Sequence, residues 1–285
     1  MMKKMRMLFP YYGSKYSMLD DIINEINRIR QIKQTNTIID LFGGSGCVIM
    51  NLPLEWKVNK VYNDIDTRLY TTMTCLMDKQ LREKLAEKFD YSFVSRQLYD
   101  EYVGYFDNTD VKTLELTDEE LRLDVAFKFL YISLTGFNAK TQGLSTSFGK
   151  PSSIYNYPKF LRKLSFERKN TIIENLDYKD VIKKYDRDDA FFYIDFPYYT
   201  ERKGYEQTFE GIEQYKEVKE QLDALKGTYI MNESSRDYKQ IIPIFGEPYK
   251  EIKHINVASN TKQTGEKERS MRLEGFWSNI LKKEE

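Results

Sequence analysis

The chain has 285 residues, 41% of them hydrophobic and 31% charged, and its 44 basic side chains balance 44 acidic ones. That length can bury a substantial core in one large domain or two, and the composition is that of a globular protein, which excludes a disordered chain. A net charge of zero argues against indiscriminate nucleic-acid binding but leaves room for a local basic face. No apolar run approaches the length that spans a bilayer. Met1 to Met7 carries three basic residues with no apolar stretch behind it, so neither a membrane anchor nor a signal peptide is expected. Cys47 and Cys75 lie far apart and His254 is the single histidine, so a metal site, a disulfide framework and histidine catalysis are all poorly supplied. The cysteines read as buried small hydrophobes and the expected location is cytoplasmic. The 22 tyrosines and 17 phenylalanines suit either an aromatic-rich core or stacking on bases.

In chain order, Phe9-Pro-Tyr-Tyr-Gly-Ser-Lys15 is a turn-prone segment before a helix whose Met18, Ile22, Ile23, Ile26 and Ile29 follow helical spacing. Thr37-Ile-Ile-Asp-Leu-Phe42 reads as a short strand running into Gly43-Gly-Ser-Gly46, with a helix-like Cys47–Asn51 behind it. A second strand, Lys60–Asn63, ends at Asp64, and a helical pattern resumes over 67–77. Strand, glycine turn, helix, strand and acid make half of a doubly wound α/β sheet. Residues 80–165 change character: charged helical stretches at 80–90 and 117–134, a Gly/Ser-rich loop at 135–153, then the basic run Pro158–Lys169. This segment reads as an inserted, mainly helical domain of 80–165, between the two parts, 1–79 and 166–285, of an α/β domain. The α/β pattern returns with Thr171–Asp177, strands at 191–195, 227–232, 252–258 and 273–281, and a helix near 212–225.

Two features point to chemistry. The glycine turn Phe42–Gly46 lets a backbone approach a ligand at a helix N-terminus. Asp64 follows at a spacing suited to an acid that holds a ribose hydroxyl pair. The turn lacks the full dinucleotide fingerprint and the lysine of a phosphate-binding loop, which favours a nucleoside cofactor without polyphosphate. The second feature is Phe191-Phe-Tyr-Ile-Asp195-Phe-Pro-Tyr-Tyr199, a strand buried on both faces that stops before Pro197. An acid there sits where open α/β sheets bind ligands, although an Asp capping the next turn reads equally well from this stretch alone.

Asp195-Phe-Pro-Tyr198 resembles the Asp-Pro-Pro-Tyr motif of amino-group DNA methyltransferases, and Asp40-Leu-Phe-Gly-Gly-Ser-Gly46 resembles their S-adenosylmethionine motif. Tyr11-Tyr-Gly-Ser-Lys15 is similar to the amino-terminal Trp-Ala-Gly-Gly-Lys element of the Dam-type DNA N6-adenine methyltransferases. Gly136-Phe-Asn138, Phe148-Gly149, Asn175-Leu-Asp-Tyr178 and Glu274-Gly-Phe-Trp-Ser-Asn279 are weaker matches, and the order of motifs is the family's. The resemblance spans nearly the whole chain. It implies a Rossmann-like, mostly parallel methyltransferase sheet flanked by helices, with the inserted segment as target-recognition domain.

By the same resemblance the reaction is methyl transfer from S-adenosylmethionine to adenine N6 of a base extruded from duplex DNA, without a metal. Asp195 and the carbonyl of Phe196 would accept the amine N–H groups, freeing a lone pair otherwise delocalised into the ring, and Pro197 and Tyr198 complete the motif, with Tyr198 stacking on the base. Cofactor contacts are implied for Tyr11, Gly13, Lys15, Asp40, Phe42, Gly44, Gly46, Asp64, Asp177, Tyr178 and Asp195. Among these, Lys15 is assigned to the methionine carboxylate, Asp64 to the ribose and Asp177 to the adenine. A surface lysine at 15 and a helix N-cap at 177 are the bland readings. DNA contacts are expected from Asn138, Lys140, Gln142, Lys150, Arg162 and Lys163. Two positions depart from the family: Phe196 replaces the first proline, and Lys140-Thr-Gln142 replaces Leu-Tyr-Arg. A weakly active or inactive binding protein, or an RNA adenine or cytosine N4 acceptor, is the alternative. The resemblance also implies a bacterial or phage origin, in restriction–modification or phage protection, and leaves monomer and weak dimer open.

Overall fold

A computed structural model describes residues 7–11, 13–136, 152–164, 170–196, 211–255 and 271–282. Seven strands form one sheet in the order β3-β2-β1-β4-β5-β7-β6. They are β1 (Thr37–Asp40), β2 (Asn59–Asn63), β3 (Thr171–Glu174), β4 (Ala190–Ile194), β5 (Thr228–Ser234), β6 (Lys250–Ile255) and β7 (Met271–Ser278). The first five run parallel, and β7 enters antiparallel to both β5 and β6. The expected Rossmann-like α/β sheet is therefore present. Strand order reverses between β1 and β4, which leaves a crevice beyond their carboxyl ends.

Alternation along the strands divides the core into two faces. Ile38, Tyr62, Phe191, Tyr193, Ile230 and Phe276 pack to one side, and Ile39, Val61, Phe192, Ile194, Met231 and Trp277 to the other. Every residue of β4 is buried, as its unbroken apolar run requires. On the first face lie α1 (Leu19–Ile32) and α2 (Thr67–Met77). The stripe Ile22, Ile26 and Ile29 of α1 is fully buried, and each such side chain contributes about 1.5–3 kcal/mol by leaving water. On the second face lie α7 (Tyr178–Tyr185), α8 (Ile212–Asp223) and α9 (Tyr238–Phe245).

Between α2 and β3 the regular elements among the described residues are all helices, joined by loops: chiefly α3 (Lys79–Asp90), α4 (Arg96–Asn108), α5 (Glu119–Thr135) and α6 (Ser152–Lys163). Phe129 and Leu130 of α5 share a buried cluster with Leu69 and Met73 of α2 and Phe191 of the sheet, so this helical part is continuous with the first face's core. Arg82, buried in α3, donates to the carbonyls of Leu76 (2.6 Å) and Leu164 (3.2 Å), tying the start of the helical part to its end.

Some boundaries differ from the sequence reading. The strand read as Thr37–Phe42 stops at Asp40, and the helix-like Cys47–Asn51 is only a short 3-10 turn over Ile49–Asn51. The helices α4 and α9 were not anticipated, and α7 only through the reading of Asp177 as a helix N-cap. Both α7 and α9 are eight residues long, and α9 contains Pro243.

Candidate active site

The glycine turn is built by what lies under and over it. The phenol of Tyr62 donates to the carbonyl of Gly44 at 2.7 Å from beneath, and a Cβ on Gly43 would come within 2.3 Å of the Tyr62 ring. Gly44 adopts φ +50° directly below Tyr11, whose ring a Cβ would meet at 3.3 Å. Side chains at either position would fill the cradle or force the phenol aside. Tyr11 is braced in turn by Phe9 (6.3 Å between ring centroids) and Phe129 (6.5 Å). Gly46 closes the turn by donating to the carbonyl of Gly43 at 2.8 Å.

Asp64 faces this turn. Its Oδ2 accepts from the Gly44 N–H and its Oδ1 from the Asp66 N–H, both at 2.9 Å. A carboxylate with one donor on each oxygen still has lone pairs for a hydroxyl pair. Burial, then the neighbouring Asp66, pushes its carboxyl up to about 7, while the two backbone N–H groups and Arg68 pull the other way. Asp66 caps α2 and holds Arg68 in a forked pair at 2.6–3.1 Å. Behind Asp64, Asn63 ties three loops together. Its Nδ2 donates to the carbonyls of Leu41 and Leu176 (3.1 Å each) and its Oδ1 accepts from the Leu176 N–H (3.0 Å). Asn175 donates to the Asp64 carbonyl at 2.7 Å, which brings the 175–178 turn to the same rim. There Asp177 is exposed and caps α7 by accepting from the Lys179 N–H (2.9 Å), and the Tyr178 ring lies 5.8 Å from Phe42.

Asp195 stands just past β4, on the other side of the crevice. Its Oδ1 pairs with Lys15 Nζ at 2.8 Å and accepts from Asn232 Nδ2 at 3.4 Å. The Lys15 ammonium also donates to the Gly13 carbonyl at 3.0 Å, so the amino-terminal turn is anchored to the acid. Lys15 is 7% exposed and is no surface lysine. Burial pulls its ammonium down, but Asp195, Glu274 and Glu233 together outweigh that and leave it above the ordinary lysine value. Burial pushes the Asp195 carboxyl up to about 6, with Lys15 and Asn232 holding it down and Glu274 adding to the rise.

Three more buried acids crowd this end: Glu233 at the end of β5, Asp237 behind it and Glu274 on β7 opposite Ser234. Burial first, then Asp237, Glu274 and Asp195, push the Glu233 carboxyl well above the usual range. Asp40, at the end of β1, is raised well above that range too, by burial and then by Asp195. Among the described residues no group of three or more His, Cys, Asp or Glu side chains is arranged to hold a metal ion.

Phe196, which departs from the resembled motif, is buried in the core of the second face. It is 1% exposed and packs edge-on against Tyr215 (5.0 Å) and Phe42 (6.2 Å), with Phe245 at 6.4 Å. The ring thus pins the strand end that carries Asp195. Pro197 and Tyr198 lie outside the described residues.

A family model for the D12 class N6 adenine-specific DNA methyltransferases matches residues 11–263. The chain belongs to that family. No curated protein matches it. Membership makes N6-adenine methylation of DNA its general activity and agrees with the mostly parallel α/β sheet.

Of the residues expected to contact DNA in this D12-class methyltransferase, Arg162 and Lys163 fall on α6. Asn138, Lys140, Gln142 and Lys150 lie outside the described residues, as do the weaker matches at Phe148-Gly149. Lys163 is exposed on α6. Arg162, also on α6, bridges Glu83 (2.6 Å) and Asp90 (2.7 Å) of α3. Sequence reasoning passed over Asn63, Asn232 and Glu233. The signal for the last two was a run of polar residues, Asn232-Glu-Ser234, inside a strand whose every position is buried. Among the described residues no helix is long and apolar enough to cross a membrane.

Proposed function

We propose that this D12-class chain transfers a methyl group from S-adenosylmethionine to N6 of an adenine extruded from duplex DNA. The observation that carries the reading is Asp195 at the strand-order reversal, charge-paired to Lys15 and facing the glycine turn with Asp64. The donor set fits a nucleoside cofactor: a cradle that a Cβ at Gly44 would occupy, Asp64 with spare acceptor capacity, and aromatic rings of Tyr11 and Phe42 beside it. Tyr11, Gly13, Lys15, Asp40, Phe42, Gly44, Gly46, Asp64, Asp177 and Tyr178 would hold it, and when bound it supplies a methyl group on an electron-poor sulfonium.

The chain's own residues supply position. Asp195 and the Phe196 carbonyl accept the two N–H groups of the amine, drawing the nitrogen towards tetrahedral geometry and exposing its lone pair. Tyr198 stacks on the extruded base. Holding both partners in line accounts for most of the rate, since effective molarities of oriented groups reach roughly 10⁵ M and above. Residues 80–165 would read the target, with Asn138, Lys140, Gln142, Lys150, Arg162 and Lys163 on DNA, in the cytoplasm of a bacterial or phage-infected cell, within restriction–modification or phage protection.

Incubation with labelled S-adenosylmethionine and AT-rich duplex DNA is expected to place label on adenine N6. Asp195→Ala should lower its rate roughly 10²–10³-fold. Absence of transfer across DNA of varied sequence, or label on RNA or cytosine N4 alone, overturns the reading.

A further inference from the structure

We infer that Asn232 is a positioning residue that, set by Tyr193, confines Asp195's protein partners to Oδ1 and reserves Oδ2 for the target amine. The inference rests on the proposed reaction and deepens it.

Register brings the three side chains together. Strands β4 and β5 run parallel with Tyr193 beside Ile230 and Ile194 beside Met231, so Asp195 comes level with Asn232. Tyr193, Asp195, Ile230 and Asn232 share one parity and hence one face, with Tyr193 and Asn232 as diagonal neighbours. Both are fully buried, so their polar groups need partners within the protein. The Tyr193 phenol donates to Asn232 Oδ1 at 2.7 Å. Burial and the nearby Asp195 push that phenol well above its ordinary range, so it stays a donor.

With its oxygen taken, the amide has only N–H to offer Asp195. The flipped amide would set oxygen against carboxylate. At 3.4 Å the Asn232 contact is long for a charge-assisted bond, whereas Lys15 at 2.8 Å supplies the charge. Asn232 therefore orients and Lys15 neutralises, on the same oxygen. Among the described residues the hydrogen bonds of Asp195 all end on Oδ1. Around it stand Lys15, Asp40 from β1, Glu233 from β5 and Glu274 from β7, with Tyr193 and Cys47 as the neutral titratable neighbours.

The test uses the full chain with Tyr193→Phe, which removes one oxygen and keeps the ring, and Asn232→Leu. Carbon-13 NMR of the carboxyls, without cofactor or DNA, follows Asp195, assigned by its loss in Asp195→Asn. An N–H donor favours the charged form, so both variants should titrate above the wild-type value of about 6. In turnover, kcat should fall roughly five- to tenfold with its acid limb shifted the same way, while KM for S-adenosylmethionine stays within about twofold. Folded variants with unmoved titration and unmoved acid limb overturn the inference, as does a KM that rises in step with the loss of kcat. A wild-type chain that transfers no methyl overturns the proposed reaction instead, and the NMR titration still decides whether Asn232 sets Asp195.

Discussion

Two acids sit at strand ends on either side of the crevice, and they are held by different means. Asp64, after β2, accepts from two backbone N–H groups, which no substitution short of proline can remove. Asp195, after β4, is held by the side chains of Lys15 and Asn232, drawn from stretches of sequence far on either side of it. Burial raises both carboxyls, to about 7 and about 6, yet only the second is mutable at its supports. The lesson is that the Asp64 side of the crevice is fixed by the fold itself, while the Asp195 side is tuned by residues that can change without changing the fold.

The hardest blow to that contrast comes from beneath Asp195. Phe196→Pro restores the motif's usual residue but empties a seat made by Phe42, Tyr215 and Phe245. Loss of a buried phenylalanine ring costs about 3–5 kcal/mol, so denaturant unfolding should show a large drop in stability and turnover should fall with it. Higher turnover with an unchanged unfolding midpoint would mean that the ring does not pin the strand end. Next, Asp195→Ala should lower kcat by roughly 10²–10³-fold, with S-adenosylmethionine affinity, read by calorimetry, nearly kept. Equal loss of affinity would erase the distinction between the two sides. Asp64→Asn is the converse: roughly ten- to hundredfold weaker cofactor binding with kcat at saturation little changed.

The smallest effect is in pH. In the proposed reaction each acid is the charged acceptor, so activity should be present above its pKa and lost as pH falls through it. At saturating cofactor and DNA a single acid limb near 6 is expected, about tenfold between pH 8 and pH 5. With cofactor limiting, a second limb near 7 should appear, from Asp64. A profile flat to pH 5 under both conditions would remove both carboxylates from the reaction.

Much of the scaffold was legible because it is periodic. The strands β1, β2 and β4 announce themselves as short apolar or β-branched runs, and α2 falls where its pattern placed it, at 67–77. The place of Asp64 beside the glycine turn was legible because strand, turn, helix and strand follow one another directly: one partner, the Asp66 N–H, is two residues on and the other, the Gly44 N–H, only twenty back. The Lys15–Asp195 pair was not, since 180 positions separate the partners and only the fold brings them to 2.8 Å. Phe196 misled for a related reason. In the sequence it is a departure from a motif, while in three dimensions it is a core residue whose neighbours come from β1's turn, α8 and α9. The short helix α9 escaped because two turns give too few apolar positions to show a period, and α7 showed only through its cap residue, Asp177.

The antiparallel entry of β7 between β5 and β6 bears on how the protein assembles. Until β7 docks, β5 presents an open edge, the kind that recruits foreign strands. Glu274 arrives on that same strand, opposite Ser234, and completes the set of acids facing Lys15. Closing the sheet and setting the electrostatics of Asp195 are thus one event. In refolding, protection from aggregation and the native titration of Asp195 should emerge in the same kinetic phase, with no well-packed species that has one and lacks the other.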